Sequence, residues 1–218
     1  VAGFIIYIYI YKMCYSFRSS IIAFSIAITT VFLMYMRQTK IDLYLMPFIF
    51  TYAFVQLAEA FMWYDKHCGI INKIGTYMVY INVFILHLIA IGIGIYLVEK
   101  RKYGIFIGIL TALYFFITMP KITCSKFKNN TMYWGFQAFP YIIIYILVNL
   151  LFILSKMPIR YKIFLVLWYA ISWLYFFYKQ AKSFKKLLTH TDANLVGSLW
   201  CHISSFTVPV LYLIQYIF

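Results

Sequence analysis

Long apolar runs broken by short charged punctuation make up most of the chain. Seven runs approach the roughly 20 helical residues that cross a hydrocarbon core of about 30 Å. The pattern predicts helix 1 over about 16–36, helix 2 over about 43–64, helix 3 over about 74–98 and helix 4, the shortest, over about 103–119. Helix 5 follows over about 137–155, helix 6 over about 160–178 and helix 7 over about 195–217. The breaks read RQTK, DKHCGIINK, EKRK, PKITCSKFKNNTMYWG, SKMPIR and KQAKSFKKLLTHTDAN. Short connections force antiparallel neighbours. The expected fold is therefore all-α: one domain over residues 1–218, an integral membrane bundle of seven transmembrane helices. Residues 1–11 are apolar but too short to span, so they either lie in the interface or extend helix 1.

Polar residues inside the runs are few and unevenly placed. Glu59 lies six residues short of Asp65, where helix 2 ends, so about 9 Å inside at 1.5 Å per residue. Tyr52, Gln56, Glu59 and Trp63 fall on one stripe of that helix. Arg18 and three serines open helix 1, Asn82 lies in helix 3, and helix 7 carries Trp200, Cys201 and His202 in the run GSLWCHISS. All of these lie toward the end of the bundle where helices 1, 3, 5 and 7 start, and helix N-termini favour negative charge. His87 and Asn149 sit deeper. A buried carboxylate is tolerated by facing the bundle, by pairing or by staying protonated. Arg18 is the expected partner of Glu59, and the candidate polar pocket is Arg18, Gln56, Glu59, Asn82, Cys201 and His202. Two readings stay open for Glu59: polar glue between helices, or a group that handles a proton, ion or ligand. Gly104 and Gly108 form a GxxxG that lets helices approach closely, and Trp63 and Trp200 are packing or interface residues.

Composition agrees with the bilayer as solvent. Of 218 residues, 65% are hydrophobic and 11% charged, against about 25% charged in soluble domains. The net charge of +14 sits at the ends of apolar runs. It suits anionic headgroups at basic loops; the run KQAKSFKKLL reads equally as an amphipathic surface helix on anionic lipid or as a solvated positive loop, and no segment is suited to nucleic acid. Eleven of the nineteen Lys and Arg fall on the face that starts helix 1 and eight on the other, which puts the N-terminus on the cytoplasmic side. The glycosylation triplet Asn129-Asn130-Thr131 would argue the other way if used, as would a disulfide between Cys68 and Cys124, which this topology places on one face.

The four cysteines show no metal-ligand spacing, so neither metal nor cofactor is implied. The chain shows no HxxxH, HExxH or GxSxG, and helix 7 holds no lysine for a retinal Schiff base. The apolar N-terminus does not read as a removable signal peptide.

Three stretches, MCYSFRSSIIAF, QLAEAFMW and GSLWC, together resemble an uncharacterised family of multi-pass membrane proteins of giant DNA viruses and bacteria. The matching residues are Met13, Cys14, Tyr15 and Ser16, then Gln56, Glu59 and Trp63, then Trp200 and Cys201. The resemblance implies a membrane topology and a native start at Met13, with residues 1–12 an extension. It implies no activity.

Three functions remain in view. The first is a small channel, transporter or sensor working at Glu59. The second is a structural component of a virion membrane or an organellar complex. The third, an intramembrane enzyme, lacks the usual nucleophile or metal set. An oligomer or a larger complex is compatible with each.

Overall fold

The computed structural model describes residues 16–128, 131–136, 139–180, 210, 212 and 213. Among these residues the chain is mostly helical, with six helices and one short hairpin. Helix α1, Phe17–Arg37, begins at Ser16. The Ser16 hydroxyl accepts from the Ser19 amide while the Ser19 hydroxyl accepts from the Ser16 amide, a reciprocal capping box. α1 stops where Gln38 turns left-handed at φ 50°. Thr39 then caps α2, Lys40–Tyr64, with Asp42 closing a second capping box. The six residues RQTKID thus end one helix and start the next. Asp42 also receives a two-pronged ion pair from Arg37, Nη2 to Oδ1 at 2.6 Å and Nε to Oδ2 at 2.9 Å.

Helix α3, Ile70–Glu99, is continuous and contains a π-turn over Ile81–Leu86. Helix α4 is Tyr103–Ile117. Strands β1, Lys126–Lys128, and β2, Thr131–Tyr133, pair antiparallel. Helices α5, Phe139–Leu154, and α6, Ile159–Gln180, follow. α1, α2 and α3 are long and apolar enough to cross a membrane, and α4 is a shorter apolar helix. The six helices match the first six predicted runs closely. The predicted helix 7, about 195–217, lies outside the described residues except for Val210, Tyr212 and Leu213, which are helical. The seven-helix count is thus not reached: six helices stand among the described residues. Residues 1–12, read as an extension or interfacial segment, also lie outside them.

Connections sort the turns to two ends. The Glu99 carboxylate accepts from the Tyr44 hydroxyl at 2.8 Å and from the Lys156 amide. It thereby ties the start of α2, the end of α3 and the α5–α6 turn together. The other end, where α2 passes to α3, carries the hairpin as a cap: the Phe127 ring packs 4.6 Å from Trp63. α2 runs through the middle, with 61% of its spanning window buried against 28% for α1. Small residues of α1 (Ser19, Ser20, Ala23, Ala27) form its buried seam. α3 and α4 touch backbone to backbone, since a Cβ on Gly92 would lie 2.4 Å from the Gly104 carbonyl carbon. Around Phe84 the rings of Tyr80, Phe115 and Phe136 close the core at 4.8, 5.2 and 5.7 Å.

Candidate functional site

Four of the chain's five acidic residues are among the described ones. Three close turns. Asp42 joins α1 to α2, and Glu99 holds the far end. Asp65 caps α3, accepting from the Gly69 and Asn72 amides, each at 3.1 Å. These backbone donors, Asn72 first, hold the Asp65 carboxyl below the usual carboxylate range against a smaller opposing effect of burial. Glu59 closes no turn. It lies within α2 with no exposed surface.

The predicted stripe is buried along its length: Tyr52, Gln56, Glu59 and Trp63 are each at most 4% exposed. The Gln56 Nε2 donates to the Tyr52 hydroxyl at 2.7 Å, one turn deeper along the same stripe of α2. Ring pairs Phe17–Tyr64, at 5.8 Å, and Phe24–Phe54, at 6.0 Å, set the α1–α2 register. They bracket Ser20 at the level of Glu59. The Ser20 hydroxyl is buried and has no hydrogen-bond partner among the described residues.

On α3, Asn82 and His87 are buried polar residues at the π-turn. Five residues apart, they would stand about 140° out of phase on an α-helix at 100° per residue. The π-turn brings both inside, at 6% and 1% exposure. The Asn82 side chain donates to the Met78 carbonyl at 2.8 Å, and His87 Nδ1 lies 2.7 Å from the Asn82 carbonyl. The His87 ring stands edge-on to Phe48 at 5.1 Å and to Tyr52 at 6.4 Å. Sequence reading found Asn82 and His87 but not the π-turn. Its trace was this five-residue spacing of polar residues in an otherwise apolar helix, and such turns recur at functional sites.

The structure does not form the expected Arg18–Glu59 pair. Arg18 is exposed, and no ion pair joins the two. The seam of Ser19, Ser20, Ala23 and Ala27 sets which face of α1 meets α2, and Arg18 falls outside it. Trp200, Cys201 and His202 lie outside the described residues. Trp63 is buried beneath the cap, with the Lys66 ammonium 5.0 Å from its ring. Gly104 and Gly108 are both contact points of α4 on α3, against Gly92 and Ile89.

The cap carries what sequence reading missed or left open. Cys68 and Cys124 form a disulfide. It sits at the end where α1 starts. Asn72, buried beside it, carried no distinctive sequence pattern. Its side chain, with Thr76, binds the backbone and hydroxyl of Ser125. Among the described residues no three His, Cys, Asp or Glu side chains converge as a metal site.

This geometry defines a helical chain with three helices able to cross a membrane and a buried polar stripe facing a π-turn. No family model matches the chain, and no curated protein or solved structure matches it.

Proposed function

We propose that the chain is a seven-crossing integral membrane protein that moves or senses protons or a small cation along Glu59, Gln56 and Tyr52 toward His87. The observation that carries this reading is Glu59. Every other described acid closes a turn, whereas Glu59 is fully buried inside a helix. Burying a charged carboxylate there costs from about 2.5 kcal/mol upward, and packing alone is better served by an apolar side chain. The Gln56–Tyr52 hydrogen bond and the π-turn supply polar groups deeper along the same path.

The cap end faces an oxidising compartment in this reading, because disulfides persist there and not in a reducing cytosol. The margin of eleven to eight basic residues is too small to outweigh the bridge.

A second reading, a structural membrane component, draws on the aromatic filling around His87. Phe48 packs edge-on to both His87, at 5.1 Å, and Phe152, at 6.0 Å. Proteoliposomes separate the two. The transport reading expects the protein to dissipate an imposed pH or cation gradient and Glu59→Gln to abolish the flux with helix content and monodispersity unchanged. A wild-type protein that passes nothing under either sign of membrane potential, or a Glu59→Gln variant that passes as much, establishes the structural reading.

A further inference from the structure

The hairpin cap encloses a groove of about 360 Å³, separate from the polar stripe, lined among others by Lys121, Thr123, Lys126, Tyr133, Trp134 and Phe136. We propose that this groove binds an anionic phosphate group, carried on a lipid headgroup that lies along α4.

Four observations support it. The lining holds two lysines and no acid. The Tyr133 hydroxyl stands among them, while the Thr123 hydroxyl donates to the Gly135 carbonyl at 3.0 Å, and Trp134 and Phe136 give an aromatic wall. The Trp134 indole Nε1, beside the groove, is buried with no acceptor among the described residues. The walls are also held in place. The Thr123 amide donates to the Gly135 carbonyl at 2.9 Å. A Cβ on Gly135 would lie 2.0 Å from the Thr123 carbonyl oxygen, so only glycine permits that approach. Cys124, in the lining, is bonded to Cys68 at the start of α3. A site tied down in this way loses little entropy on binding.

The location favours a lipid as the source. Phe116 and Ile117, 67% and 79% exposed, end α4. Pro120 and Lys121 of the groove follow within four residues. An acyl chain against the exposed apolar side of α4 would bring its phosphate to the lysines. Phosphate chemistry is common to a headgroup and to free phosphate, and the test separates them. It does not depend on transport through Glu59.

The test uses the full chain in detergent, titrated with dihexanoyl phosphatidate, dihexanoyl phosphatidylcholine and inorganic phosphate, with binding read by calorimetry. Phosphatidate should bind more tightly than phosphatidylcholine. Lys121→Gln/Lys126→Gln should weaken phosphatidate by about thirtyfold, the effect of two lysines near an anionic group. Lys66→Gln/Lys73→Gln, at the same end but outside the groove lining, should leave it nearly unchanged. Competition by inorganic phosphate would assign the site to phosphate in general, and no competition would assign it to the lipid; both support the groove. Equal affinity for the two lipids, or equal losses in the two double variants, would overturn the proposal.

Discussion

Asn72 clasps Ser125 from both sides: its Nδ2 donates to the Ser125 carbonyl at 3.1 Å and its Oδ1 accepts from the Ser125 amide at 2.8 Å. The same Nδ2 donates to the Asp65 carbonyl at 2.9 Å. One side chain on α3 thus does for the cap what a neighbouring strand would do. Asn72→Ala removes the donor to two carbonyls, while the Thr76 hydroxyl, 3.2 Å from the Ser125 amide, still serves that amide. A stranded buried polar group costs about 1–3 kcal/mol. Thermal unfolding in detergent should show a loss in that range per carbonyl. An unchanged midpoint would mean that the clasp adds nothing to the disulfide.

Asp65 makes a pH-dependent contribution. Its carboxyl is held below its ordinary range by the Asn72 and Gly69 amides. A carboxyl depressed on folding stabilises the fold above its unfolded pKa, and that contribution disappears as pH falls through its folded value. The protein should therefore lose stability on acidification below about pH 4, and Asp65→Asn should lose part of that acid dependence. A variant with the wild-type pH profile would exclude Asp65 as its source.

The α3–α4 contact fixes a sign. In an unstrained helix, Gly→Ala stabilises by about 0.4–1 kcal/mol. At Gly92 the new methyl would meet the Gly104 backbone at 2.4 Å, and at Gly104 it would meet Gly92 Cα at 2.9 Å. Overpacking of this kind costs about 1–3 kcal/mol. Both variants should be less stable than wild type, Gly92→Ala more so, and the pair should not be additive because both disturb one contact. A gain in stability from Gly92→Ala would show that the helices separate freely.

Much of this architecture was legible in the sequence because lipid-length apolar runs admit few alternatives to helices. Punctuation placed six helices, and RQTKID contains both the end of α1 and the cap of α2. The stripe Tyr52, Gln56, Glu59 and Trp63 followed from helical periodicity alone. Arg18 was misjudged because its depth was right but its rotation was not. Rotation is set by which small residues of α1 meet α2, a pairwise fact absent from either helix by itself. The π-turn was missed because one inserted residue leaves hydropathy unchanged and alters only phase. The cap was read as a loop because its order comes from distant partners, Asn72 and Cys68.

Topology can be argued from Arg37 and Tyr212. The Arg37 guanidinium carbon lies 4.0 Å over the Tyr212 ring, and Nη1 is 3.4 Å from the Tyr212 carbonyl. Arg37 marks the Glu99 end, because it pairs with Asp42 beside the start of α2. α6 starts at that same end, just after Lys156, and its 22 residues run away from it. The proposed seven-crossing topology expects a further crossing between Gln180 and Tyr212, and the 31 intervening residues exceed the roughly 20 needed for one. In a chain with Cys14 and Cys201 changed to Ser, Phe17→Cys and Leu213→Cys, 44% and 54% exposed, should react with a membrane-impermeant maleimide from opposite sides. Cys68 and Cys124 should react from the Phe17 side, and only after reduction. Labelling of both introduced cysteines from one side would remove the seventh crossing. Labelling of Cys68 and Cys124 without reductant would return the cap end to a reducing compartment, where the lysine count had placed it.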